Sequence, residues 1–139
     1  AGLAFLRSRP QVDSRHLGLV GHGLGAVLAA RTAAHDRGVA FLVLLAPPAN
    51  PDPAFGSVRC PVLALSGEND QETDAQQSLL ALRSALVGSP SALLDSLPGL
   101  DHQFQHPIAD ATSEHGVSDE SFASEALERI SSWVTHTLR

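Results

Sequence analysis

The sequence has a single cysteine, Cys60, no methionine, no tyrosine and no lysine, so all nine of its basic residues are arginine. One cysteine cannot close an intrachain disulfide, which excludes a cross-linked secreted scaffold and permits, without requiring, a reducing compartment such as the cytoplasm. Long apolar runs are missing: none approaches the ~20 residues of a membrane span. Positive charge is scarce as well, 9 basic against 15 acidic residues for a net charge of -6, so the chain offers no electrostatic basis for binding nucleic acid or an anionic membrane. With Ala1 first and no methionine anywhere, a trimmed or incomplete chain is open, and no inference about a leader follows.

What is present is ordinary globular composition, 43% hydrophobic and 17% charged over 139 residues. A chain of that length buries roughly 68% of its unfolded surface, so one domain over residues 1–139 is expected to fold without a metal or a disulfide. Periodicity alternates strand and helix, the pattern of an α/β protein with a parallel sheet covered on both faces. A helix end is expected over 1–7, closed by Pro10, and a short strand over His16 to Gly21. An alanine-rich helix follows over Leu24 to His35, with Gly38 just beyond it. Val39 to Ala46 is a continuous apolar run, as a doubly covered strand should be. Pro47 to Pro61 contains five prolines and reads as a loop. Pro61 to Gly67 is the third strand. Thr73 or Asp74 can cap a helix with Leu79, Leu82 and Leu86 on one face and Gly88 at its end. Ala92 to Leu97 is the fourth strand, and Ser118 or Asp119 opens a last helix carrying an apolar stripe of Phe122, Ala126, Ile130, Trp133 and Val134.

The segment Leu19-Val20-Gly21-His22-Gly23-Leu24-Gly25-Ala26 joins a strand to a helix and resembles the G-x-S-x-G nucleophile elbow of α/β-hydrolases at every place except the serine, which is Gly23. Small residues flank that position because the sharp turn brings backbones too close for a Cβ. Glycine at the strained central position would relieve about 1–3 kcal/mol. Further along, Leu63-Ala64-Leu65-Ser66-Gly67-Glu68-Asn69-Asp70 is similar to the strand ending in the family's acid, and Leu97-Pro98-Gly99-Leu100-Asp101-His102-Gln103-Phe104 to its histidine loop. The order nucleophile, acid, histidine is the hydrolase order. The resemblance is greatest to esterases and dienelactone-hydrolase-like enzymes, and it covers nearly the whole chain.

That resemblance implies a partial α/β-hydrolase fold of about four strands running from the elbow to the C-terminal helix, with the family's N-terminal strands and helical cap expected to be absent. It implies a carboxylic ester as substrate, no cofactor and no metal, Asp70 as the acid, His102 as the base, and Leu24 N–H as an oxyanion donor. Gly23 cannot attack a carbonyl, so an impaired or inactive enzyme is expected, with a non-catalytic binding or assembly module as the alternative. A residual hydrolase using Ser66 ranks last, because Ser66 lies inside a strand and not on an elbow.

Each residue also has a plainer role. Gly21, Gly23 and Gly25 fit an ordinary tight turn, Asp70 a turn residue, His102 a packed loop histidine and His22 packing. His102 and His106 have the spacing of a helical metal pair, but Pro107 argues against a helix. Gly21, Gly23 and Ala26 also fit the dinucleotide fingerprint G-x-G-x-x-A, which needs an acid about 20 positions on; Ala46-Pro47-Pro48 stands there, with Asp52 beyond. The strand His16 to Gly21 has no proline or lysine to discourage edge pairing, so a homodimer, or pairing with a separately supplied N-terminal half, is expected through it.

Overall fold

The computed structural model describes residues 2–107 and 121–139. Four strands, β1 (Leu19–His22), β2 (Leu42–Leu45), β3 (Val62–Gly67) and β4 (Ala92–Leu97), lie side by side in chain order and all parallel. The helices are α1 (Gly2–Arg7), α2 (Leu24–His35), α3 (Ala75–Ala85) and α4 (Ser124–Thr137). Parallel connections have one preferred hand. When every crossover steps the same way across a sheet, that hand puts all the connecting segments on one face. Accordingly α2, α3 and the short 3-10 helix Pro53–Ser57 pack together against Leu42, Leu44, Val62 and Ala64. The other face, built on Val43, Leu45, Leu63 and Leu65, is covered by α4 and by Leu100 and Phe104 of the preceding loop.

Sequence explains the closeness of these layers. The buried stripe of α2 is Ala26, Ala29, Ala30 and Ala33, so its axis approaches the sheet with only methyl groups between. On the opposite face, larger side chains of α4 fill the gap, and the Trp133 ring meets Phe41 edge-on at 6.1 Å. Asp74 caps α3 by accepting the Gln77 N–H at 2.8 Å, one of the four first-turn donors that a helix cannot satisfy itself.

Several boundaries differ from the sequence expectation. His16 is not in a strand: Asp13 accepts the Arg15 N–H and caps a 3-10 turn over Ser14–His16, so β1 begins only at Leu19. Val39 and Phe41 are buried but lie outside β2. The proline-rich loop contains a 3-10 helix because Asp52 caps Ala54 and Pro53 opens it with a suitable fixed φ. The expected opening of the last helix at Ser118 or Asp119 lies outside the described residues; α4 begins at Ser124 with Ala123 at its N-cap. Among the described residues no helix is long and apolar enough to cross a membrane.

Candidate functional site

Three segments meet where β1, β3 and β4 end. The carboxyl ends of parallel strands are where open α/β sheets place their ligand crevices. Gly23 is the single residue between β1 and α2 and adopts φ 54° and ψ -120°, a region that L side chains enter only with strain. Gly21 is needed for a different reason. A Cβ there would overlap the carbonyl oxygen of Gly25 and come within 2.7 Å of the Ala26 nitrogen. Gly25 does not share that constraint: a Cβ on it meets nothing within 4 Å, so the expectation that both flanking glycines are demanded by space holds for Gly21 alone.

Asp70 follows β3. Its Oδ1 accepts the backbone N–H groups of Glu72 at 2.8 Å and Thr73 at 2.9 Å, and its Oδ2 lies 2.7 Å from Nδ1 of His102. The carboxylate is fully buried and the imidazole 15% exposed. A buried carboxylate is costly unless its lone pairs are filled, and here both oxygens are engaged. Because an ionised carboxylate only accepts, Nδ1 of His102 donates to it, a tautomer in which the neutral ring would keep its lone pair on Nε2.

That Nε2 faces the turn. A Cβ built on Gly23 would stand 3.9 Å from it, with no other heavy atom within 4 Å among the described residues beyond its chain neighbours His22 and Leu24. Leu24 opens α2, so its N–H belongs to the first-turn donors that have no intrahelical acceptor. His22, on the other side of Gly23, sends Nε2 to the backbone oxygen of His102 at 2.8 Å. Sequence reasoning missed Glu72, whose Oε2 lies 3.6 Å from Nε2 of His102 while the side chain is 67% exposed. Its position two residues after the buried acid is the only signal that could have found it.

The histidine loop is braced from below. A Cβ on Gly67 would overlap the Leu100 carbonyl oxygen, so β3 supports the loop by direct backbone contact. The Asn69 N–H donates to that same oxygen at 2.8 Å. Asp101 ties the loop to itself, accepting the N–H groups of Gln103 at 2.9 Å and Gln105 at 3.0 Å.

Other sequence candidates go elsewhere. Ser66 is fully buried and, among the described residues, its Oγ has no hydrogen-bond partner; substrate cannot reach it, which removes it as a substitute nucleophile. His106 pairs with Glu125 at 3.0 Å, and among the described residues no group of His, Cys, Asp and Glu is arranged to hold a metal ion. Asp52, the acid nearest the dinucleotide spacing, is engaged by Arg31 at 2.6 Å and by its capping role. An open groove of about 810 Å³ is lined by Asp70 together with Asp74, Leu79, Arg83 and Leu94, and neither Gly23 nor His102 lines it.

The sheet order, the sharp turn at Gly23 and the buried Asp70–His102 pair define a protein of the α/β-hydrolase fold. Within that fold the chain belongs to the dienelactone hydrolase family, whose profile matches residues 1–138. Among solved structures it is similar to a protein of Klebsiella pneumoniae subsp. pneumoniae assigned to the dienelactone hydrolases, at 20% identity and a TM-score of 0.71 over 96% of this chain and 57% of that one. It is also similar to an esterase of Pyrococcus furiosus, at 14% identity and a TM-score of 0.70 over 100% and 60%. A third relative is a dienelactone hydrolase-like promiscuous phosphotriesterase from metagenomic libraries, at 18% identity and a TM-score of 0.63 over 99% and 57%. The chain therefore spans between 57% and 60% of the length of these relatives. No curated protein matches the sequence.

Proposed function

We propose that the chain carries an acyl-hydrolysis site whose parent reaction is cleavage of a carboxylic ester, impaired because glycine occupies the nucleophile position. The observation that carries this reading is the 2.7 Å pair of Asp70 and His102, with Nε2 of the imidazole turned toward residue 23. In the parent chemistry a hydroxyl on residue 23 attacks the ester carbonyl, Nε2 of His102 takes its proton, and Asp70 holds the ring in the tautomer that allows this. The oxyanion that forms lies near the Leu24 N–H. The proton then passes from His102 to the departing alcohol, and water repeats the sequence on the acyl group.

Gly23 supplies no hydroxyl, and loss of the nucleophile removes most of the acceleration of such a site. The test is Gly23→Ser assayed on p-nitrophenyl acetate, with His102→Ala in the same background as control. Weak turnover that vanishes with His102→Ala is expected. The rate should be held down because Leu24 is the oxyanion donor the elbow offers, and one missing donor typically costs about 10²- to 10³-fold. Turnover that is indifferent to His102 would overturn the reading.

A second reading is a binding or assembly module that keeps the fold without catalysis. The φ of 54° at Gly23 favours it, since glycine there relieves the strain of the elbow and removes the attacking group in one step. A serine-directed phosphonate that leaves the native chain unlabelled fits both readings, and labelling would overturn both.

A further inference from the structure

We propose that His22 is a positioning residue: its side chain holds the main chain of His102 so that the imidazole faces residue 23. The inference rests on the acyl-hydrolysis reading of the site, and it concerns a residue that the parent chemistry leaves unused.

His22 is the last residue of β1 and the immediate neighbour of Gly23. Its Nε2 lies 2.8 Å from the backbone oxygen of His102, 80 residues away in sequence. A carbonyl only accepts, so the imidazole donates, and this fixes the proton on Nε2 of His22. The two imidazoles meet edge to face with centroids 4.8 Å apart. The His22 ring also meets Phe104 edge-on at 6.4 Å.

The loop that carries His102 needs such a tie. Phe104 has φ 58°, a conformation costing about 1–3 kcal/mol for a non-glycine residue and kept only where the surroundings over-determine it. Phe104 is fully buried, stacks on Phe122 at 5.4 Å, and its oxygen accepts the Ala123 N–H at 2.8 Å. Those contacts anchor the loop to the α4 side of the sheet. Gly67 and Asn69 brace it against β3. The bond from His22 joins the loop to the elbow itself, and it grips the very residue whose ring does the facing. Asp70 sets the tautomer of His102 and His22 sets where the ring's backbone stands. Placement of a base relative to an attacking atom is worth up to about 10²-fold per ångström.

The experiment uses the whole chain and two readouts. In the native protein, the Nδ1 proton of His102 should give a low-field NMR resonance, assigned by its loss in Asp70→Asn. His22→Phe keeps a ring against Phe104 but removes the donor, and should shift or broaden that resonance. His22→Gln, whose amide reaches the same carbonyl, should restore it, while His22→Asn, one carbon shorter, should not. If His22→Phe fails to fold, the Gln and Asn pair decides alone. In the Gly23→Ser background, His22→Phe should lower kcat by about 10- to 100-fold with little change in KM, and His22→Gln should recover most of it. A His102 resonance unchanged in both His22→Phe and His22→Asn would overturn the proposal. Absence of His102-dependent turnover in Gly23→Ser would instead overturn the hydrolase reading, leaving the resonance to decide the role of His22.

Discussion

A Cβ built on Gly23 stands 3.9 Å from Nε2 of His102 and, among the described residues beyond its chain neighbours, meets nothing else within 4 Å. Crowding is therefore not what keeps residue 23 bare, and the cost of a side chain there is set by the backbone, at φ 54° and ψ -120°. Gly23→Ala is expected to fold and to lose about 1–3 kcal/mol of stability, the cost of holding a non-glycine residue in that region. Urea unfolding with an unchanged slope measures it. No loss at all would mean that the turn relaxes when a side chain is present, and that the strain attributed to the elbow is not fixed by the sheet.

The flanking glycines should part company. In Gly21→Ala the new methyl overlaps the Gly25 carbonyl, and since the clash is with backbone it can be relieved only by moving α2 off β1. A loss of several kcal/mol, or failure to accumulate folded protein, is expected. Gly25→Ala meets open space in the first turn of α2, so helix propensity governs and a gain of up to about 1 kcal/mol is expected. Equal losses at the two positions would show that the tight approach of helix to strand is shared and not confined to Gly21.

Acid should loosen the connection between α2 and the 3-10 helix. The Arg31 guanidinium, assisted by the Ala54 N–H, holds the Asp52 carboxyl below the usual carboxylate range, and Arg7 does the same for Asp36. A folded-state pKa below the unfolded value means that the unfolded chain takes up more protons as pH falls. The stabilisation is then complete above the unfolded pKa, near ~3.9, and is lost as pH drops through the lower folded value. Thermal midpoints should fall with pH in that window, and more gently in Asp52→Asn than in the native chain. Identical slopes in the two would show that Arg31 and Asp52 do not hold their pairing in solution.

How far the sequence foretold this structure depends on what each segment's signal physically was. α2 and β4 were legible to the residue, because the alanine-rich segment between Gly23 and His35 has abrupt ends and the stretch Ala92 to Leu97 is closed in by Pro90 and Pro98. The start of β1 was not, because Asp13 captures the chain in a 3-10 turn through a side-chain hydrogen bond that hydrophobic periodicity does not register. β2 is shorter than its apolar run: Val39 is buried by packing, and Phe41, just before β2, is buried while its oxygen accepts the Leu19 N–H of β1. At the site, the proximity of Asp70 and His102 followed from motif order. The bond from His22 to the His102 carbonyl, the approach of Glu72 and the indifference of Gly25 to space all depend on how loops far apart in sequence are laid against one another. No local pattern carries that information.

The outer edge of β1 gives the last prediction. Among the described residues β1 pairs on one side only, and apolar side chains cluster near it: Val20 is 62% exposed, Leu24 78% and Leu28 62%. An unpaired strand edge flanked by apolar surface invites a further strand. We propose that a second copy supplies it, through a two-fold axis beside β1 that would join two sheets into one. The hydrogen-bond directions say how to test this. Leu19 N–H donates to the Phe41 oxygen at 3.1 Å and Gly23 N–H to the Leu45 oxygen at 2.8 Å, so these alternate residues bond inward to β2. Val20 and His22 between them therefore turn their N–H groups to the open side. Proline at Leu19 would break the inner ladder and confuse misfolding with loss of pairing, whereas Val20→Pro removes an outward donor and spares the inner bonds. Light scattering should find a dimer at high protein concentration, and Val20→Pro should shift it to monomer without lowering the unfolding free energy of the monomer by more than about 1–2 kcal/mol. A native chain that stays monomeric would overturn the dimer, and a dimer that survives Val20→Pro would place the interface elsewhere on the molecule.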